Sequence, residues 1–263
     1  MTEILCTHKA QVSPGSLRSR SRYALFATKR RQPYPTRSPT LNNQFQMRKS
    51  NREIWIPTSR FICGRIMTGN FQSGKDGLMA RTESNMIPLG SQAPSFSLPD
   101  VVSGRTLSLK ELKSERATVL MFICNHCPFV KHVQEQLVQL AKDYQPQQVS
   151  FIAINANDAE AYPDDSPEKM KEVAEELGYP FPYLFDETQE TARTYQAACT
   201  PDFYVFDGEM QLVYRGQLDD SRPENGIPVT GESLRGALDR LLQGKPVPTD
   251  QKPSLGCNIK WKQ

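Results

Sequence analysis

Two cysteines in the run Cys124-Asn125-His126-Cys127-Pro128 are the residues of this chain best suited to chemistry. A thiolate is the form of cysteine that attacks disulfides and binds soft metals. A second cysteine three positions on lies within bridging distance, so it can displace a mixed disulfide formed by the first. Cys124 is therefore the expected nucleophile and Cys127 the expected resolving thiol. His126 between them adds positive charge when protonated, and Pro128 sacrifices no hydrogen bond in the first turn of a helix. The same side chains support a rival use, metal binding or delivery, because Cys124, His126 and Cys127, with Cys199 in reserve, are soft and borderline ligands. No second CxxC supports that use. A third reading is an interaction module whose thiols are idle. His132, in the following stretch, is expected to be solvated or packed rather than a ligand.

A strand must end at these thiols and a helix must leave from them. Val119 to Ile123 is an unbroken apolar run of strand length, as a central strand covered on both faces requires. After Pro128, the residues Phe129, Val133, Leu137, Leu140 and Tyr144 recur at helical steps. A helix start presents unpaired N–H groups and the positive end of the dipole, which is expected to depress the Cys124 thiol below the ordinary value of about 8.5.

Around this junction, Phe96 to Pro99 and Thr106 to Leu109 read as two short strands about a turn. Val149 to Ile154 is a second buried strand. Ser166-Pro167 opens a helix stopped by Gly178, with Met170, Val173, Ala174 and Leu177 on one face. Asp186 to Gln189 has capping-box spacing ahead of a helix ending near Ala198. Phe203 to Phe206 and Leu212 to Tyr214 form a hairpin across Asp207-Gly208, and Leu234, Leu238, Leu241 and Leu242 mark a last helix. Alternating strands and helices followed by a hairpin imply an α/β fold, a mixed sheet with helices on both faces.

The net charge of +3 over 263 residues conceals an asymmetry: residues 1–78 hold 14 Lys/Arg against 3 Asp/Glu, and the remainder 18 against 26. A part carrying −8 would repel phosphate, so nucleic acid is not an expected partner. No apolar run is long enough to cross a bilayer, and no secretory signal is evident, so no membrane partner is expected either. Residues 1–85 are expected to form a basic, disordered leader and residues 86–263 the folded domain, with a Pro-rich, flexible tail over 244–263. The leader reads either as an organelle transit segment, for chloroplast or mitochondrion, or as dispensable sequence ahead of a start at Met79, which would leave the protein in the cytoplasm. Six cysteines are too few for a disulfide-stapled scaffold of this length. Cys6 and Cys63 fall in the leader and receive no role.

The strand, CxxC-Pro, helix and later Thr200-Pro201 before a strand resemble the thioredoxin superfamily. The entry Pro88 to Pro99, with its hairpin, resembles the peroxiredoxin-type branch, the alkyl hydroperoxide reductase and thiol-specific antioxidant proteins. Cys124 to Val130, Ala198 to Asp202 and Gly256 to Trp261 are similar to peroxiredoxin-like proteins with a CNHCP motif, and the likeness covers about residues 79–263. It implies a thioredoxin fold with an N-terminal peroxiredoxin-type hairpin, a cis proline at Pro201 facing the thiols, and antioxidant or thiol-disulfide oxidoreductase activity. The implied partners are a disulfide or peroxide substrate and a thiol electron donor. No organic cofactor is implied, because the electrons reside on sulfur.

Two departures matter. Typical peroxiredoxins carry Thr or Ser three residues before the peroxidatic cysteine and Pro seven before it; here those places hold Met121 and Ala117 for Cys124, and Cys124 and Leu120 for Cys127. The likeness therefore does not carry efficient peroxidase chemistry to this chain. Thioredoxins have a buried acid six residues before the first cysteine, where this chain has Thr118, leaving His126 or water to move the proton. Two further thiols are candidates. Cys199 precedes the expected cis proline and reads as a redox relay or as a small buried side chain. Cys257, in the tail, reads as an additional resolving thiol that would bond to Cys124 when Cys127 is removed.

Overall fold

In the computed structural model, which describes residues 81–263, the first element is one the sequence does not announce: β1 (Arg81–Glu83) pairs antiparallel with residues 255–257. The folded unit therefore reaches back past residue 86, and the rest of the expected leader lies outside the described residues. β2 (Ser97–Pro99) and β3 (Thr106–Ser108) form the expected hairpin. Their turn is held by the Asp100 carboxylate, which accepts the Ser103 N–H at 3.0 Å, and by Gly104 at a positive φ of 69°. Ser108 and Glu111 close a capping box on α1 (Leu109–Leu112). There follow β4 (Ala117–Phe122), α2 (Pro128–Tyr144), β5 (Val149–Asn155), α3 (Pro167–Leu177) and β6 (Tyr183–Phe185). The remaining elements are α4 (Glu190–Thr194), β7 (Cys199–Thr200), β8 (Asp202–Asp207), β9 (Leu212–Gly216), α5 (Glu232–Leu242) and β10 (Leu255–Asn258).

The central sheet has the order β6-β5-β4-β8-β9. Its first three strands run parallel, while β8 and β9 are antiparallel additions. β4 is buried along its whole length, and its side chains alternate between two cores. Val119 and Met121 pack with Leu137 and Leu140 of α2, Met170 of α3 and Leu238 of α5. Leu120 and Phe122 pack on the opposite face with Phe96, Leu109, Ala192, Tyr195 and Tyr204. Helices on both faces are what the unbroken apolar run of this strand requires, since neither face could be left to water.

The structure departs from the sequence reading in three places. β6, only three residues long between Pro182 and Asp186, carries too short a pattern to be read as a strand. No capping box forms at Asp186 to Gln189; Gln189 holds φ 64° without a side-chain cap bond, the Asp186 carboxylate accepts the Ala192 N–H at 2.8 Å, and α4 stops at Thr194. The C-terminal segment is not a free tail: β10 is the middle strand of a second sheet, β1-β10-β7.

Gly256 is what lets β10 lie there. A Cβ at this position would stand 2.0 Å from the Thr200 carbonyl oxygen. Around it, the Ser254 hydroxyl donates to the Pro201 carbonyl at 2.7 Å, the Ser254 N–H donates to Ser84 Oγ at 2.8 Å, and Ile259 is buried in the second core. Gly256→Ala is expected to push β10 off β7 and to cost about 3 kcal/mol, the upper end for overpacking, because the obstacle is backbone. Chemical denaturation of the full chain measures this; an unchanged midpoint would contradict the close approach.

Candidate thiol site

The last backbone bond of β4's path, Ile123 N–H to the Ile154 carbonyl at 3.0 Å, delivers Cys124 to the end of the sheet. The chain then loops through Asn125 and His126 to Cys127, which is the N-cap of α2, with Pro128 as the first helical residue. The Cys127 carbonyl accepts the Val130 and Lys131 N–H groups at 3.1 and 3.0 Å. The segment after β5 fixes the loop from the other side. Asp165, fully buried, accepts the Asn125 N–H at 2.7 Å on Oδ1, while its Oδ2 accepts Asn157 Nδ2 at 2.8 Å and contacts His126 Nδ1 at 2.5 Å. The His126 ring stacks on Tyr162, with centroids 5.2 Å apart, and Tyr183 donates to Asn125 Oδ1 at 3.1 Å.

The opposite wall is β7 and the peptide that follows it. Thr200-Pro201 is cis. Thr200 Oγ1 lies 3.1 Å from Cys124 Sγ, and the Thr200 carbonyl accepts from Cys127 Sγ at 3.2 Å. β10 brings Cys257 opposite Thr200, and the Cys257 and Cys127 sulfurs are 2.7 Å apart. Of the residues singled out from the sequence, Cys124, Cys127 and Cys257 thus converge beside the Thr200-Pro201 peptide. Cys199 is buried in the same strand, and its sulfur lies against the Pro201 carbonyl at 3.7 Å.

A match to the AhpC/TSA family spans residues 89–215. A solved structure of an uncharacterized conserved protein from Geobacillus kaustophilus is 70% identical, covering 70% of this chain and 97% of that one, with a TM-score of 0.69. A hypothetical protein from Sinorhizobium meliloti is 49% identical over 69% of this chain and 98% of its own, with a TM-score of 0.67. The thiol-disulfide oxidoreductase ResA of Halalkalibacterium halodurans is 26% identical over 137 residues, which is 51% of this chain and 73% of that protein. Residues 89–215 form an AhpC/TSA-family domain, similar to thioredoxin-superfamily proteins of the peroxiredoxin-like kind. Its β2–β3 hairpin and mixed central sheet are the fold expected of such a member.

The electrostatics of this thioredoxin-like site differ from the sequence expectation. Burial raises the Cys124 thiol well above its ordinary value, and its bond to Cys127 and the charge of Asp165 add to the effect, against an opposing pull from the Thr200 hydroxyl. Cys127 is held far below the ordinary range, because as a thiolate its sulfur accepts from the Cys124 and Cys257 thiols and gains from backbone N–H groups. Cys127, not Cys124, occupies the N-cap, and the positive charge expected from His126 is matched by a buried carboxylate. Cys127 is therefore the more acidic of the pair, and on ionising it gives up its bond to the Thr200 carbonyl. Alkylation of Cys124, followed by mass spectrometry against pH, is expected to rise with an inflection above the free-thiol value of about 8.5. An inflection below it would contradict this distribution of charge.

Asp165 is the residue sequence reasoning missed. Burial works to raise its carboxyl, but the bonds from His126, Asn157 and the Asn125 N–H outweigh burial and leave it lowered. In sequence it stands in Asp164-Asp165 ahead of a helix cap, where only tertiary contact distinguishes it from a turn residue. Asp165 also alters the metal reading. The atoms gathered within 4.8 Å of one another belong to Cys124, His126 and Asp165, not to Cys124, His126 and Cys127. Both Asp165 oxygens already hold protein donors, while His126 Nε2 is buried without a hydrogen-bond partner.

Proposed function

We propose that this chain is a thiol-disulfide oxidoreductase whose working dithiol is Cys124 and Cys127. The observation that carries this reading is the pair of adjoining thiols at the start of α2, facing the cis Thr200-Pro201 peptide, with a hydroxyl 3.1 Å from the Cys124 sulfur. Cys124 and Cys127 are both buried, and Cys124, which lies against the Thr200 hydroxyl, is taken as the thiol that meets an entering disulfide. Its proton passes to His126, which with Cys124 and Asp165 gathers its side-chain atoms within 4.8 Å. The Cys124 sulfur then attacks the substrate disulfide and releases one substrate thiolate, which takes up a proton. His126, its ring nitrogen within 4.8 Å of the Cys124 sulfur, is placed to supply it. Cys127 next attacks the Cys124 sulfur, the second substrate thiol leaves, and the protein is left with a Cys124–Cys127 disulfide. Two electrons have moved to substrate, and an external thiol donor must return them.

An antioxidant role would use the same nucleophile on a peroxide. The Thr200 hydroxyl supports it, because it supplies from β7 the donor that residue 121 lacks. The test is turnover of a small aromatic disulfide, and separately of hydrogen peroxide, by the full chain with dithiothreitol as donor. Catalysis well above the dithiothreitol background is expected with the disulfide. Background rates with both substrates, together with stoichiometric zinc in protein purified without chelator, would favour metal binding through Cys124, His126 and Asp165 instead.

A further inference from the structure

We propose that Cys257 is a third redox-active thiol and that Cys127 is a sulfur shared between two alternative disulfides, Cys124–Cys127 and Cys127–Cys257. The proposal rests on the dithiol reading above and adds to it an internal exchange that transfers the oxidised bond from Cys124 to Cys257. Its basis is geometric. Cys257 Sγ accepts a hydrogen bond from Cys127 Sγ at 2.7 Å, so the two sulfurs are in direct contact. Packing of a small apolar side chain does not require two sulfurs to meet in this way. Nor is the approach an accident of a loose end, because β10 is paired on both sides, with Arg81 opposite Cys257 on one flank and Thr200 on the other.

The step conserves atoms and electrons. Starting from the Cys124–Cys127 disulfide, Cys257 gives up its proton and its sulfur attacks Cys127 Sγ. The Cys127–Cys257 bond forms, the Cys124–Cys127 bond breaks, and Cys124 leaves as a thiolate that takes the proton. No external oxidant or reductant is consumed, because one disulfide and one thiol are present before and after. In the reduced protein the bond to Cys127 and burial both raise the Cys257 thiol; once Cys127 is oxidised, burial remains to raise it. The product is a disulfide between two buried residues, Cys127 and Cys257, and it leaves Cys124 as a free thiol. The Cys124–Cys257 bond expected from sequence concerns protein without Cys127; with Cys127 present, its sulfur is the one in contact with Cys257.

The test is disulfide mapping of the full chain, equilibrated with oxidised glutathione, quenched in acid, alkylated and digested. Wild-type protein is expected to yield a peptide joining Cys257 to Cys127 with Cys124 alkylated, alongside the Cys124–Cys127 form. Cys124→Ser is expected to convert wholly to the Cys127–Cys257 bond, and Cys257→Ala to show only Cys124–Cys127. Cys257 recovered as free thiol in both wild type and Cys124→Ser would overturn the proposal. So would Cys257 bonded to Cys124 rather than to Cys127. The dithiol reading fails separately, if Cys257→Ala forms no Cys124–Cys127 bond under the same treatment.

Discussion

Cys124→Ser is expected to lower disulfide turnover by on the order of a thousandfold or more, with the melting temperature little changed. A serine hydroxyl stays protonated at neutral pH, and the neighbouring Cys127 thiolate is too weak a base to ionise it. The isosteric change keeps an atom within reach of Thr200 Oγ1, so the packing of the site survives. Cys127 retains its charge but lies with no exposed surface behind Cys124, which limits any substitute attack. Steady-state reduction of an aromatic disulfide checks this, and a variant with more than a tenth of wild-type turnover would show that Cys124 is not the entry point.

The second large effect concerns stability. Arg215 and Asp202 form an ion pair at 3.0 Å with both side chains fully buried, directly after the cis proline. The guanidinium also lies 3.8 Å over the Tyr204 ring and donates to the Tyr195 and Gln196 carbonyls at 3.4 and 3.3 Å. Arg215→Met leaves the Asp202 carboxylate buried without its partner, which costs about 3–5 kcal/mol. At about 2–4 °C per kcal/mol for a domain of this size, the melting temperature should fall by roughly 10 °C. Burial already pushes the Asp202 carboxyl up to about 7 against the pull of Arg215, and removing the arginine raises it further. Wild type and variant alike lose stability as pH rises from the unfolded value, about 3.9, towards 7, so the variant's excess loss opens above about pH 7, as pH rises through its own higher folded value. Calorimetry across that range, showing a loss independent of pH, would contradict the burial of an unpaired charge.

Much of the fold is legible in the sequence because its long elements carry strong periodicity. The apolar run of β4, the stripe of α2 and the Ser166 and Gly178 caps of α3 each satisfy a local requirement that tertiary contact only confirms. The three-residue strands β1 and β6 are invisible, since so few residues give no period. β10 misleads for a different reason: Pro246, Pro248 and Pro253 advertise an irregular tail, yet the strand begins after the last of them, where Gly256 permits close approach to Thr200. The site divides in the same way. Cys124 and Cys127 are readable from their spacing and neighbours, and Pro201 from the likeness of its segment to the thioredoxin superfamily. Asp165, the Thr200 hydroxyl and the contact of Cys257 with Cys127 depend on chain segments dozens of residues apart, and no local pattern encodes them.

The account rests on Cys124 and Cys127 exchanging two electrons as a pair. Equilibrating Cys257→Ala with mixtures of reduced and oxidised dithiothreitol, and counting the alkylated thiols of the Cys124–Cys127 peptide by mass, measures this without interference from the third thiol. The predicted result is loss of both thiols together in one reversible step, at the two-electron slope of about 30 mV per tenfold change in the ratio. A peptide that keeps both thiols alkylated throughout, or loses only one, would contradict it.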